Sequence, residues 1–363
     1  MASLRDTMYK LHDPRVKGRC SHPLADIVVL SVLAVICGAE SYDAIEEFGK
    51  IHYEKLKERL RLPNGVPSHD TINRVFQAIN FRHFERLFAE WALQFKPLGE
   101  EHVIAVDGKT VCGSKDCAKG KSPVHLVHAW SVDNGICLGQ YKTECKSNEI
   151  TAIPELLDML VLDGAIVTID AMGTQKAIAQ RIRDNGADYI LALKGNQGTL
   201  RQDAELATRN TRPVGESETV DKGHGRVETR KCQIYLPDEY IRENHEWPDL
   251  KTIVKVTATR CNALEGSEST EVRYYISSLS QGQPFGEYIR DHWAVENSLH
   301  WVLDMSFGED LHRKRAGNSA QNFALVRKLA LNILKKDKGK GSLVTKRLKA
   351  GWDTKYLLSL LTI

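Results

Sequence analysis

Two short apolar runs of this chain each end in an aspartate, and this pattern limits the fold more than any other feature. The runs VIAV and AIVTI lead directly into Asp107 and Asp170, and each is long enough for one buried strand. Buried parallel strands are nearly all apolar, so burial alone disfavours a carboxylate at their ends. The two runs therefore predict strands that each present a carboxylate at the C-terminal end. Such a carboxylate needs a partner, and a divalent cation is the strongest candidate.

The first 97 residues have the apolar spacing of amphipathic helices. Period-3.6 patterns occur in PLADIVVLSVLAVICGA, YDAIEEFGKIHYEKLKERL, HDTINRVFQAI and FERLFAEWALQF, and Ser68 fits the N-cap of the third helix. These patterns predict an α-helical N-terminal domain over residues 1–97. The short helix with Asn73 and Arg74 leaves two interpretations open, a DNA-reading helix-turn-helix or an ordinary amphipathic bundle.

Beyond residue 101 the pattern changes to strands and helices. VIAVDGKTV, VHLVHAWSV and ICLGQYKTE predict three strands, and the later strands AIVTIDA and YILALK alternate with helices, which indicates a mixed α/β sheet. Residues 198–280 then contain the β-rich stretches KGHGRVETRKCQIYL, TIVKVTATR and EVRYYISSL and predict a β-rich insertion. A helix from about Phe285 to Asp304 is predicted to return the chain to the sheet.

Composition is that of an ordinary globular protein, with 42% hydrophobic and 27% charged residues. Eight cysteines lie scattered without a disulfide-framework spacing, and the apolar run from Ile27 to Ala39 is too short to span a bilayer. We therefore expect a cytoplasmic protein that does not contact a membrane. Residues 311–350 carry twelve Lys or Arg and the single acid Asp337, and residues 331–363 predict a basic C-terminal helical tail. That stretch fits either contact with a polyanion or a solvated basic helix face.

A third acid, Glu296, lies far along the chain inside HWAVENSLHWVLD. Two divalent ions of the magnesium type can promote in-line displacement at phosphorus, and such ions bind through few carboxylates. Taken singly, Asp107 fits a turn before Gly108, Asp170 a helix N-cap and Glu296 a solvent-facing helix position. The three acids together, on these elements and in this order, favour a metal-dependent phosphoryl-transfer site.

Six blocks of the sequence are specific enough to indicate a family. They are PSHDTINRVF, AVDGKT, VTIDAMGTQ, KGNQ, HGRVETR and HWAVENSLHWVLDMSFGEDLHR, and they extend over nearly the whole chain. The set resembles the H-repeat-associated proteins, which are insertion-sequence transposases of the Asp-Asp-Glu group. The resemblance implies a ribonuclease-H-like catalytic core over residues 98–197 and 281–330, interrupted by the insertion. It also implies two Mg ions, with Mn as a substitute, DNA ends and target DNA as partners, and self-association in the synaptic complex.

By this resemblance the catalytic and metal-binding residues are Asp107, Asp170 and Glu296. Water would nick DNA at an element end, and the freed 3'-hydroxyl would then attack target DNA. Related transposases have an arginine four residues before the glutamate and a lysine seven after it, where this chain has His292 and Leu303. Arg290 is a candidate for the missing charge, and we assign Leu303 no role in the chemistry.

DNA contacts are predicted from charge and placement. His292, Glu296 and His300 are spaced so that they share one helix face, and alternate residues of HGRVETR share one side of a strand. The predicted DNA-binding residues are Lys109, Lys194, His224, Arg226, Arg230, Arg290, His292 and His300. For each strand residue, a polar face in water is an equally good alternative.

Three other interpretations are less favoured. A zinc site could be drawn from Cys112, Cys117, His125, His128, Cys137 and Cys145, but the spacing matches no strong pattern. A catalytically degenerate, DNA-binding transposase remnant fits the altered positions His292 and Leu303. A structure-specific nuclease of the same fold fits the three acids. The N-terminal helices and the basic tail favour transposition instead, because an enzyme that finds particular DNA ends needs contacts beyond its active site.

Overall fold

One mixed sheet positions the elements of the chain. The computed structural model describes residues 3–95, 102–144, 149–223, 226–262 and 267–362. In these ranges the strands are β1 (His102–Val111), β2 (Val124–Ser131), β3 (Ile136–Lys142), β4 (Ala165–Ile169), β5 (Asp188–Leu193), β6 (Gly215–Gly223), β7 (Arg226–Tyr235), β8 (Thr252–Asn262) and β9 (Ser267–Ser277). They form a single sheet in the order β3-β2-β1-β4-β5-β9-β8-β7-β6.

The helices lie before, between and after these strands. The N-terminal helices are α1 (Leu4–Tyr9), α2 (Leu24–Ile36), α3 (Tyr42–Ile51), α4 (Tyr53–Leu56), α5 (His69–Ala78) and α6 (Phe81–Leu93). The later helices are α7 (Glu149–Leu157), α8 (Lys176–Asp184), α9 (Gly198–Asn210), α10 (Glu239–His245), α11 (Phe285–His292), α12 (Trp301–Phe307), α13 (Ser319–Lys336), α14 (Leu343–Trp352) and α15 (Thr354–Ser359). The described helices include none with the length and apolar character needed to cross a membrane.

The first five strands have the connectivity of a ribonuclease-H-like sheet. Strands β1, β2 and β3 pair antiparallel in sequence, whereas β4 and β5 add in parallel on the other side of β1. Each parallel addition follows a helix, α7 before β4 and α8 before β5, as a crossover connection requires. The predicted ribonuclease-H-like α/β fold with N-terminal helices is confirmed.

The strands of residues 198–280 continue the same sheet. Strand β9 pairs antiparallel with β5, and Tyr274 lies opposite Leu193 at the end of β5. Because β9 begins at Ser267, it extends roughly 24 Å beyond that point, at about 3.4 Å per residue. Strands β6 to β8 pair alongside it, so that Arg226 and Asn262 lie opposite each other near its far end. We call strands β6 to β9 the β-arm.

Helix α13 lies between the N-terminal helices and the sheet. Every residue from Ser319 to Leu334 is buried, and the helix contacts α2, α5 and α6 on one side and β2 and β3 on the other. Helix α2 is also buried along its whole length, because its apolar residues occur on all sides. The N-terminal helices and the sheet therefore share one apolar core across α13.

Burial extends to part of the basic C-terminal stretch. Lys314, Arg327 and Lys328 are buried, and the guanidinium of Arg327 pairs with Glu40 at 2.9 Å. Neither a polyanion contact nor a solvated face describes these three cations, because protein groups surround them. Helix α13 also continues past residue 330, where the sequence division ends the catalytic core.

Asn332 of α13 supplies a test of this packing. Its side chain accepts a hydrogen bond from the backbone N–H of Cys137 at 2.9 Å and donates to the carbonyl of Cys137 at 2.8 Å, which completes the edge strand β3. Asn332→Leu would leave two buried backbone groups without partners, so we expect a loss of about 2–4 kcal/mol in the free energy of unfolding. Urea unfolding measures this loss. Asn64→Ala, at an exposed asparagine, is the control, and an equal effect of both changes would contradict the prediction.

Candidate active site

The two predicted aspartates are brought together by the pairing of β1 with β4. Val106 lies opposite Ile169 in this parallel pair, so Asp107 and Asp170 occupy the next positions on adjacent strands. Neighbouring strands are about 4.8 Å apart, so both carboxylates lie side by side at the edge of the sheet where β4 and β5 end. The prediction that Asp107 ends its strand is wrong, because β1 continues to Val111 through its pairing with β2. The carboxylate of Asp107 accepts from the N–H of Gly108 at 2.8 Å, and that of Asp170 accepts from the N–H of Met172 at 3.1 Å.

The glutamate reaches this edge from an interrupted helix. The sequence predicts one continuous helix over residues 285–304, but α11 ends at His292 and a π-helical turn occupies Glu296–His300 before α12 begins. Such π turns widen a helix locally and are frequent at functional sites. Asp107, Asp170 and Glu296 all line one cleft, with Glu296 exposed to solvent.

Burial and neighbouring carboxylates both raise the pKa values of Asp107 and Asp170. Burial raises the pKa of Asp107 to about 7, and the nearby charges of Asp170, Glu149 and Glu296 act in the same direction. Burial is also the main cause that raises the pKa of Asp170, and the negative charge of Glu149 raises it further. Like charges at such a site favour either protonation or a bound cation.

The donor chemistry of the cleft fits a hard divalent cation. All three predicted ligands are carboxylates, and magnesium prefers oxygen ligands with few contributions from protein. In the ranges that the structure describes, no three His, Cys, Asp or Glu side chains lie close enough together to coordinate one metal ion. Of the alternative zinc set, Cys145 lies outside the described residues.

Two buried histidines lie behind Asp107. His128 of β2 is opposite Asp107 in the sheet, its Nδ1 lies 3.0 Å from Nε2 of His300, and Nδ1 of His300 lies 3.6 Å from Asp107. Burial lowers the pKa of His300 to about 3 and that of His128 well below its usual value. Both rings are therefore neutral at physiological pH. His300, a predicted DNA contact, has both ring nitrogens directed at protein groups.

His292 and Lys109 also make protein contacts. Nδ1 of His292 lies 3.0 Å from the hydroxyl of Thr168, and burial lowers the pKa of this ring to about 4. The ammonium of Lys109 is buried and lies 2.8 Å from Asp304 and 3.5 Å from Asp310. A neutral ring thus occupies the place of the family's arginine. Leu303 at the lysine position is fully buried in the core.

The other predicted DNA contacts lie on the cleft or along the β-arm. Lys194 is exposed on the cleft at the end of β5, and Arg226 is exposed near the far end of the β-arm. Arg230 and Arg290 lie between them, and both pair with Asp221, at 2.5 and 3.0 Å. His224 lies outside the described residues.

Several residues at or near the cleft were not predicted from the sequence. Arg201 and Arg273 line the cleft. Arg273 lies 5.0 Å from the ring of Trp293 and pairs at 2.8 Å with Glu271, which lines the same cleft. Glu149, at the start of α7, influences both aspartates. The one sequence signal for Glu149 is an acid in a first helical turn, and that position usually reflects the helix dipole alone.

Comparison with known proteins identifies the family. A family model described as Transposase DDE domain matches residues 98–333, and a second model, described as DDE_Tnp_1-associated, matches residues 5–92. The chain belongs to the Transposase DDE domain family and is an insertion-sequence transposase by descent.

Among the relatives, "Putative transposase YncI" of Escherichia coli O157:H7 is 43% identical over 98% of this chain and 93% of its own length. The "H repeat-associated putative transposase YhhI" of Escherichia coli K12 is 42% identical over 96% of this chain and 95% of its own length. The resemblance to the H-repeat-associated proteins is confirmed. A solved piggyBac transposase, in a synaptic complex with hairpin DNA, is 11% identical with a TM-score of 0.44 and covers 99% of this chain and 78% of that chain.

The raised pKa of Asp107 makes a prediction about stability. Its folded pKa of about 7 exceeds the ordinary value of 3.8, so the metal-free native protein holds a proton that the unfolded chain releases. Stability therefore falls as pH rises from about 4 to 7. With a chelator present, Asp107→Asn should raise the free energy of unfolding by about 1–3 kcal/mol at pH 8 and by much less at pH 5. Urea unfolding at both pH values measures this, and an equal gain at both would contradict it.

Proposed function

We propose that this chain cuts and joins DNA at Asp107, Asp170 and Glu296, as the transposase of an insertion sequence. The observation that supports this most directly is the β1–β4 register, which sets two aspartates side by side at a sheet edge, with Glu296 on the same cleft. The structural alternatives for each acid taken alone do not account for three carboxylates on one cleft.

Asp107, Asp170 and Glu296 would hold the divalent ions, two of the magnesium type with manganese as a substitute. When bound, such ions supply charge for the phosphate oxygens and for the attacking and leaving oxygens. Asp107 is held inside β1 and Asp170 directly after β4, and the N–H groups of Gly108 and Met172 donate to the two carboxylates. Water is the nucleophile in cleavage and the freed 3'-hydroxyl in strand transfer, so one site serves both phosphoryl transfers.

The β-arm and the cleft cations would hold the DNA. The arm extends beyond the C-terminal end of β5, the same edge at which Asp170 follows β4, so a duplex on the arm leads into the cleft. Lys194 is exposed at the entrance, and Arg273 lines the cleft wall. Because His292 is neutral and Arg273 is paired with Glu271, Lys194 is the best placed of these three residues to contact phosphate.

The division of the chain follows from the same assignment. We propose residues 1–97 for recognition of DNA ends, 98–197 with 281 onward for catalysis, and 198–280 for guiding DNA. The catalytic core continues to the end of α13 at Lys336, since this helix is buried against β2 and β3. Residues 337–363 then form the remaining C-terminal segment. Joining two element ends to a target requires at least two copies of the chain during synapsis.

Single carboxylate changes test the chemistry. Asp107→Asn, Asp170→Asn and Glu296→Gln should each reduce nicking of DNA that carries the element ends by about a thousandfold or more, because each removes transition-state charge stabilisation. Gel assays with magnesium and with manganese measure this. Glu155→Gln, at an exposed acid of α7, is the control. Parent-like nicking by Asp107→Asn would contradict the proposal, and a parent that binds these ends without nicking them would be a DNA-binding remnant.

Lys194 tests the DNA path. Lys194→Gln should weaken binding to all DNA sequences alike and reduce the slope of log binding constant against log salt by about one, because one phosphate contact is lost. Lys194→Arg keeps the charge and should keep the slope. Fluorescence anisotropy across a salt series measures both. An unchanged slope in Lys194→Gln would remove this residue from the DNA path.

A further inference from the structure

Glu149 is a carboxylate whose position is fixed by two strands. It begins α7 and is buried, and its Oε1 accepts a hydrogen bond from Nε2 of His125 on β2. The other ring nitrogen of His125 pairs with the hydroxyl of Thr110 on β1 at 2.9 Å. Since β1 also carries Asp107, the Glu149 carboxylate is held by the same strand pair that holds the first aspartate.

Gly108 makes room for this pair. A Cβ atom at Gly108 would lie 2.3 Å from Oε1 of Glu149 and 2.7 Å from Nε2 of His125, distances that real Cβ atoms do not adopt. Gly108 is inside β1 and has no left-handed backbone, so neither a turn nor a positive φ explains the glycine. It is needed because a side-chain carboxylate lies directly against the backbone next to Asp107.

Glu149 and Glu296 approach the aspartates from opposite faces of the sheet. Helix α7 packs in the core that contains Val106, whereas the π turn and α12 pack in the core that contains Ala105. Successive residues of a strand point to opposite faces. Gly108 therefore shares the Val106 face with Glu149, whereas the side chain of Asp107 shares the Ala105 face with the π turn that carries Glu296.

We propose that Glu149 is a positioning residue behind the site, which prepares Asp107, beside Asp170, for divalent cations. This inference rests on the proposed function. The carboxylate of Glu149 lies directly against the backbone of Gly108, the residue whose N–H donates to the Asp107 carboxylate at 2.8 Å. Residues that orient metal ligands typically change metal affinity by about 10–100-fold when they are removed.

The test measures Mn²⁺ binding to the purified full-length protein by isothermal titration, without DNA. Glu149→Gln keeps the side-chain shape and should raise the Mn²⁺ dissociation constant about tenfold or more. In nicking assays it should raise the metal concentration needed for half-maximal rate, while the rate at saturating metal stays within about twofold. Glu155→Gln, at an exposed carboxylate further along α7, should match the parent. Thermal unfolding verifies that each variant is folded.

His125 provides a second, independent variant pair. His125→Leu removes the donor to Glu149 and should weaken Mn²⁺ binding, whereas His125→Gln offers an amide N–H and should restore most of it. A merely structural role would lower the melting temperature of both variants without separating their Mn²⁺ affinities. Equal Mn²⁺ binding by both variants would overturn the inference, and this pair decides the question if Glu149→Gln does not fold.

Asp107→Asn separates this inference from the proposed function. If Asp107→Asn loses Mn²⁺ binding but Glu149→Gln binds like the parent, the role of Glu149 is overturned and the proposed metal site stands. If Asp107→Asn itself binds like the parent, the metal site and the inference fall together. If the parent never nicks DNA but Glu149→Gln and Asp107→Asn both weaken Mn²⁺ binding, the positioning role of Glu149 is supported and the cutting chemistry is rejected.

Discussion

The register between β1 and β4 is the constraint on which the site depends. It sets Asp107 and Asp170 at neighbouring positions, and the apolar residues before them hold both strands in place. Repulsion between these like charges opposes folding, so the buried strand pairs must offset it. A divalent cation would relieve the same repulsion, so the proposal of a metal site follows from the backbone pairing.

A line of buried charges connects that edge to the N-terminal helices. Lys109, two residues beyond Asp107, lies 3.9 Å from Glu309, and Glu309 lies 3.9 Å from Arg327 of α13. Arg327 in turn pairs with Glu40, between α2 and α3. Buried charges of this kind are costly unless every member has a partner, so removing one affects the others. Lys109 and Arg327, which the sequence offers as possible DNA contacts, are thus paired with acidic residues inside the protein.

Local patterns were enough to predict the strands, and the three acids that they single out line one cleft. Apolar runs predicted β1 and β4, and their aspartates followed from position alone. Long-range geometry was beyond reach, because the sequence does not reveal that Lys109 meets Asp304 or that His300 turns toward His128. The π turn was also missed, since its residues keep a helical apolar pattern. The role of Glu149 could not be predicted from the sequence, because it depends on a close approach to Gly108 that only the fold creates.

The union of the β-arm with the core through the β5–β9 pair has a mechanical consequence. An appendage joined by a flexible linker could swing independently, but one joined by a ladder of backbone hydrogen bonds moves with the strand that it extends. If DNA lies on the arm as proposed, force at the far end would be transmitted along the paired strands to the edge that carries Asp170. Paired residues added at the far end would lengthen the arm without changing which faces the residues below present.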